Sequence, residues 1–453
     1  MKKIAQVPLG LSLLFGLWGC SVTQDVAWPD SRPLGTSIPS FRPPIGPSSD
    51  DPTTTPSPYG SISLRDAIAL SLLNNPELQA FGWEVRAAEA RTIQAALFPN
   101  PEIGVELENF AGTGPINGLD VSDVTVSLSQ LVELGGDRLK RKRVASLETD
   151  LAGWDYETVR LDVLTETTQA FASVLASQER LALADSLTQL ARRVFKTVSA
   201  RVNAGKVSPL EKTRAQIILS SARIENELAV KDLLAKRVQL SATWGSPTAL
   251  FDRVVGDYYL VTRPPRLDVI YALVDRNPEI VRWADEMALR HSVIALEKAR
   301  GIPDPVLFAG PRRIRELGET ALTAGISIPL PFFDRNQGAI REAKYRLRVT
   351  EALQRATEVG TRRRLSDAFQ SLDAAYTEIE LLSADILPAA RENFTGVQIG
   401  YTNGKIDLLS VLDAQRTLFE TTNQYIDVLD AYHTSLADVE RLIATPLSTL
   451  QND

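Results

Sequence analysis

The sequence predicts a mainly α fold with a small β part, elongated rather than globular and assembled from two copies of one unit. Three observations carry that expectation. Residues 138–203 hold no proline and a single glycine, Gly153. Apolar side chains recur there at alternating steps of three and four: Leu161, Leu164, Phe171 and Leu175, then Leu183, Leu187, Leu190 and Val194. This is the pattern of a helix with coiled-coil seams. At ~1.5 Å per residue it would run for about 100 Å, whereas a compact globule of the whole 453-residue chain would be about 60 Å across. The second observation is duplication. Leu64–Leu70 with Asn75-Pro76-Glu77-Leu78 recurs as Leu267–Leu273 with Asn277-Pro278-Glu279-Ile280. Pro99-Asn100-Pro101 recurs as Pro303-Asp304-Pro305, Asn203–Lys206 as Thr402–Lys405, and Ala215-Gln216 as Ala414-Gln415. Several matches in one order, at an offset of about 200 residues, mean two copies of one unit. The third is a set of short segments in which apolar and polar residues alternate.

The chain opens with Lys2 and Lys3, then an apolar run, Val7–Trp18, too short to span a membrane as a mature helix. Residues 1–19 read as a secretory signal. The run closes on Leu17-Trp18-Gly19-Cys20, which resembles a bacterial lipoprotein processing site, with Cys20 becoming the lipidated first residue; an ordinary signal with an incidental cysteine is the alternative. Ser21, rather than an aspartate, points such a lipoprotein to the outer membrane. Cys20 is the only cysteine, so no intramolecular disulfide forms. Residues 20–60 are rich in proline, serine and threonine and read as an extended tether.

The first unit takes residues 61–250, a connector 251–266, the second unit 267–447 and a short tail 448–453. Each unit shares one plan. A first helix covers Leu64–Phe98 or Leu267–Ile302. Two strands follow, then the long helix, Arg138–Asn203 or Gln337–Thr402. A glycine turn at Gly205 or Gly404 ends it. A third helix takes Pro209–Gly245 or Asp407–Thr445. Pro388 should bend or break the second long helix. The first and third helices together match the length of one long helix. A full-length helix can therefore lie beside two half-length helices stacked end to end.

In the strands, Ile103, Val105 and Leu107 alternate with Gly104, Glu106 and Glu108, and Val124, Val126 and Leu128 with Thr125, Ser127 and Ser129. In the second unit Leu322, Ala324, Ile326 and Ile328 alternate with Thr323, Gly325 and Ser327, and Val306–Gly310 is a weaker fourth segment. The turns between them are glycine-rich (Gly112, Gly114, Gly118) or charged (Arg312, Arg313, Arg315, Glu316). A small sheet packed on helices would show the same alternation, but in a secreted chain the pattern fits transmembrane barrel strands. Four strands cannot close a barrel, and an open edge in lipid is not viable. Three chains would supply twelve strands, and twelve helical positions around a tube.

No catalytic constellation emerges. His291 and His433 stand on different helices and cannot alone make a metal site. Met287 is isolated, so no soft-metal stripe exists. Gly135-Gly136 lacks phosphate-loop spacing. The basic run Arg138–Arg143 could touch nucleic acid, but with a net charge of −7 and a secretory start it reads better as a belt facing anionic headgroups. No cofactor and no enzyme activity are expected. A structural coiled-coil lipoprotein is the competing class, but it would not need amphipathic strands.

The duplicated helix–hairpin–long-helix unit, Asn-Pro-Glu-Leu at 75–78, Pro-Asn-Pro at 99–101, and Tyr401-Thr-Asn-Gly-Lys405 with Val411-Leu-Asp-Ala-Gln415 resemble the TolC-type outer-membrane efflux proteins. Ala204–Glu211 looks most like the CzcC-like branch of heavy-metal efflux. The resemblance covers Ser61 to about Leu447. It implies a TolC-like trimer with an α-barrel in the periplasm and a β-barrel in the outer membrane. Its implied partners are a periplasmic adaptor and an inner-membrane pump of the RND type, and its implied role is a passive exit duct for heavy-metal cations. Multidrug or other small-molecule efflux, and type I secretion, stay open as alternatives. It implies that the turns at the foot of the tube meet the adaptor, through Gly205, Val207, Leu210, Gly404, Ile406 and Leu408. It also implies an acidic pore gate, with Asp413 and Glu211 as candidates and Ser410 at a place that is acidic in some members. Asp413 and Glu211 could equally be charges that solvate a helix face or favour its N-terminal end.

Overall fold

A computed structural model describes residues 59–114 and 118–450. The signal segment, Cys20 and the tether, the turn residues 115–117 and the last three residues lie outside the described residues.

The body starts with a short strand, β1 (Gly60–Ser63), running into α1 (Leu64–Asn74). Ser63 and Asp66 form a reciprocal capping box at the junction. The helix expected over Leu64–Phe98 is two helices, because Pro76 bars a helical residue before it. Asn75 turns extended and caps α2 (Pro76–Ala95). Strands β2 (Glu102–Glu108) and β3 (Asp123–Leu131) follow, then α3 (Asp137–Asn203), an unbroken helix of 67 residues. After it come α4 (Pro209–Ala242) and β4 (Phe251–Val255). Strand β4 pairs in parallel with β1, a small sheet that no periodicity in the sequence announced.

The second unit repeats the plan with more interruptions. Its first helix, expected over Leu267–Ile302, is broken into α5 (Leu267–Tyr271), a single 3₁₀ turn, α6 (Pro278–Val281) and α7 (Trp283–Ala299). Asn277 is extended before Pro278, as Asn75 is before Pro76. Strands β5 (Val306–Ile314) and β6 (Glu319–Ser327) come next. The weaker segment is a full strand and runs further than expected: Arg312 and Arg313 lie in β5 rather than in the turn, which is left to residues 315–318. The second long helix runs as α8 (Gln337–Leu381), one π-helical turn (Leu382–Ile386) and α9 (Leu387–Thr402). Pro388 has no N–H for the preceding turn and its ring crowds a carbonyl there. The widened turn takes up that mismatch at the expected place. Helix α10 (Leu408–Ile443) closes the unit.

Packing follows the length argument. Along α3, Ala152 meets Val85 and Ala88 of α2, and Val159 and Val163 meet Leu78. Further on, Ala170, Phe171 and Val174 meet Leu240 and Trp244 at the end of α4, and Ala191 meets Leu219 and Ala222. So α2 and α4 cover successive stretches of α3. Their junction is clamped by one residue. Asn75 accepts the Leu78 N–H through Oδ1 and donates through Nδ2 to the Thr243 carbonyl at 2.9 Å. Asn277 repeats both bonds, to Glu279 N–H and the Leu442 carbonyl. Gly245 supplies the close approach: a Cβ there would stand 3.0 Å from Pro76, on a backbone with φ +75°.

The larger sheet is antiparallel, in the order β2-β3-β5-β6. Its register puts Ile103 opposite Leu128 and Val105 opposite Val126, then Leu128 opposite Ala309, and Ala309 opposite Ala324. Through the middle of the sheet one face is therefore apolar across all four strands and the other polar, while Arg313 and Thr320 bring polar groups to the apolar side near the β5–β6 turn.

Candidate functional site

Two regions at opposite ends of α3 carry the features of a conduit. At one end is the sheet. Its apolar face is exposed, with Leu322 at 81 %. Its polar face carries Glu102, Glu106, Glu108 and Asp123. Arg312 crosses that face to Asp123 at 2.7 Å and Glu108 at 3.0 Å. Phe308 also points to the polar side, lying over Gly325, where a Cβ would meet its ring at 2.5 Å. The strands β2 and β6 are unpaired edges of the single chain. No helix among the described residues is long and apolar enough to cross a membrane.

At the other end are two turns built alike. In the first, Gly205 (φ +68°) donates to the Val202 carbonyl and Lys206 to the Arg201 carbonyl, both at 2.9 Å. In the second, Gly404 (φ +71°) donates to Tyr401 at 3.0 Å and Lys405 to Gly400 at 2.9 Å. Both are Schellman ends, in which a left-handed residue reverses the chain; glycine adopts it at no steric cost. Ser208 then caps α4 and Asp407 caps α10.

The structure distributes the expected foot residues unevenly. Leu210 is exposed, at 69 %, and Val207 and Ile406 are half-buried. Ile406 lies against Gly400, whose hydrogen leaves room for it. Leu408 departs from the expectation of a contact surface: it is only 4 % exposed, buried with Val198, Ala215, Tyr401 and Val411, and its neighbour Leu409 is the exposed one. Asp413 is exposed and pairs with Arg416 at 2.7 Å. Ser410 donates its hydroxyl and its N–H to Asp407, and these bonds, the hydroxyl first, hold that carboxyl below its ordinary range. The acidic charge missing at 410 thus sits three residues earlier. Glu211 is half-buried on the first turn of α4, with one carboxylate oxygen enclosed and without a partner among the described residues. No hydrogen bond or ion pair joins Glu211 to Asp413 among the described residues.

Sequence reasoning missed the polar interior of this foot. Ser199 of α3, Glu211 of α4, Tyr401 of α9 and Gln415 of α10 each hold a buried side-chain oxygen without a partner among the described residues. The Arg201 guanidinium lies 4.8 Å above the Tyr401 ring. Buried oxygens are normally satisfied, so all four helices reach the foot with unused hydrogen-bonding capacity. Beside them, α4 and α10 flank a groove of about 470 Å³, lined by Ile217, Ile218, Leu412 and Phe419 with Arg214 and Arg416.

The histidines stay apart in role. His433 packs between Tyr258 and Tyr432, with Nε2 2.8 Å from the Tyr258 carbonyl oxygen. Among the described residues no group of three His, Cys, Asp or Glu side chains could hold a metal ion.

Comparison with known proteins agrees with this anatomy. The profile of the family described as Outer membrane efflux protein matches residues 67–246 and 269–445, one stretch in each repeat. The cobalt-zinc-cadmium resistance protein CzcC of Cupriavidus metallidurans is 28 % identical over 417 residues, covering 91 % of this chain and 98 % of its own. The nickel-cobalt-cadmium resistance protein NccC of Alcaligenes xylosoxydans is 27 % identical over 65 % of each chain. Among solved structures, a membrane protein from Pseudomonas aeruginosa superposes with a TM-score of 0.72 at 21 % identity, covering 90 % of this chain and 97 % of that one. The transmembrane channel CusC gives 0.70 at 15 % identity, covering 90 % and 99 %. With its two matched repeats and its TolC-like fold, the chain belongs to the outer membrane efflux protein family.

Proposed function

We propose that three copies of this chain form the outer-membrane exit duct of a tripartite pump for heavy-metal cations. The observation that carries the reading is the pairing of an amphipathic sheet with two matched turns at opposite ends of a 67-residue helix. An edge of unpaired backbone is not tolerated in lipid. Pairing β6 of one chain with β2 of the next keeps the antiparallel alternation and closes twelve strands after three chains. The apolar face then meets lipid and the acidic face lines the bore. Cys20, as a lipidated start, would add an anchor.

The foot is the docking end. An adaptor's helical hairpins would meet the two turns through Gly205, Val207, Leu210, Gly404 and Ile406. Asp413, Glu211 and Ser410 are the gate candidates, with Asp407 added by its exposure on the same turn. Three copies of Asp413 near one axis would attract cations. Metal-resistance relatives favour cation cargo, and an RND-type pump is the matching energy source.

The test is cellular. Removing the gene should raise cobalt, zinc and cadmium accumulation, and the intact gene should reverse it. Leu210→Glu should fail to reverse it while trimers still form. Normal metal levels in the deletion strain would refute the cargo assignment.

A further inference from the structure

The apolar face of the sheet does not stop where the strands stop. Leu134 and Leu330 continue the apolar positions of β3 and β6 beyond the last paired residues, and both are exposed. Phe333 follows at 93 % exposure, and Phe98 lies at the same level with the Arg138 guanidinium 4.1 Å above its ring. Gly135 against Ala299, and Gly301 against Arg335, tie the α3 and α8 starts to the end of α7. This exposed rim therefore marks one level of the molecule, between sheet and helices.

Immediately past it, α3 presents Leu139, Lys142 and Arg143 at steps of three and four, all exposed. Neither Lys142 nor Arg143 has an ion pair or hydrogen bond among the described residues. Their direction follows from the neighbours of α3. Leu147, Leu151 and Trp154 face α7, and Ala152, Tyr156 and Val159 face α2. On a helix these two faces lie about 140° apart. In a closed ring of helices the narrower side faces the bore and the wider side faces out. Leu139, Lys142 and Arg143 fall near the middle of the wider side.

We propose that this rim is a collar that binds anionic phospholipid in the leaflet adjoining the helices. Leu134, Leu139, Leu330 and Phe333 enter the interface, and Lys142 and Arg143 take the phosphate groups. The inference rests on the closed, membrane-spanning reading given above. Two features of this rim select a lipid rather than a protein: continuity with the apolar face of the sheet, and unpaired positive charge on an overall acidic chain. Each basic residue at an anionic surface is worth about a fivefold preference.

The experiment uses the full-length protein and the Lys142→Gln/Arg143→Gln variant. Both are reconstituted into phosphatidylethanolamine vesicles with and without phosphatidylglycerol, floated on a gradient, and extracted for native mass spectrometry of retained lipid. Both proteins should float. The wild type should retain phosphatidylglycerol over phosphatidylethanolamine, and the variant should lose most of that preference. Equal ratios in two floating proteins overturn the collar alone. If neither protein floats, the spanning reading fails and the collar falls with it.

Discussion

Single residues show where the fold tolerates discomfort. Glu440 on α10 is largely enclosed against α1 and α3, and its carboxylate accepts the Leu447 N–H at 2.8 Å. Burial pushes its pKa from the ordinary 4.5 up to about 7. The folded state therefore holds a proton that the unfolded chain gives up. Stability is favoured below about pH 4.5 and declines as pH rises towards 7. Glu440→Gln keeps the acceptor and removes the charge. It should stabilise the protein by about 1–3 kcal/mol at pH 8, with the difference closing near pH 5. Denaturant titrations of both proteins at the two pH values measure this; equal stability at pH 8 would contradict the burial argument. Arg312 is the other informative residue. Placed in a turn, it would be a solvated charge; placed in β5, it is the cation that bridges Asp123 and Glu108 across the polar face. Arg312→Ala should weaken the sheet and leave the face more acidic, increasing cation selectivity in bilayers.

At the scale of elements, the long helix and the tight turns were legible because their causes are local. A proline-free run with a 3.5-residue stripe and a glycine followed by lysine each state their geometry in a few residues. The Asn-Pro-Glu repeats were legible as repeats, but their purpose was not. Asn75 and Asn277 each cap one helix and hold the end of another more than 160 residues away, and nothing local announces the second bond. The β1–β4 pair was missed for the same reason, since four or five residues carry no measurable period. Leu408 shows the converse limit: its turn was located correctly, but its inward direction depends on α3, α4 and α9 arriving together. Asn277→Ala removes a cap and leaves the Leu442 carbonyl unpaired. It should cost about 1–3 kcal/mol and lower the unfolding midpoint, with Asn75→Ala behaving alike. An unchanged midpoint in both would mean that the clamps are ornamental.

The whole molecule leaves bonding capacity unused at both ends of α3. Among the described residues its sheet has two open edges, and its foot holds four enclosed oxygens without partners. The proposed ring of three chains would close the edges and bring new neighbours to the foot. The amphipathic alternation made the four-stranded sheet legible from sequence, because period two assigns each strand one apolar face. The polar foot was not legible, since Ser199, Glu211, Tyr401 and Gln415 come from four separate helices. Native mass spectrometry of the detergent-solubilised protein should find three chains.

Whether the protein is a cation-conducting duct is read from its reversal potential, purified and inserted in planar bilayers under a potassium chloride gradient. Discrete channels should appear, with a reversal potential on the cation-selective side. Asp413→Ala combined with Glu211→Ala should move it towards zero. A protein that inserts without forming channels, or whose channels prefer chloride, is not a cation duct.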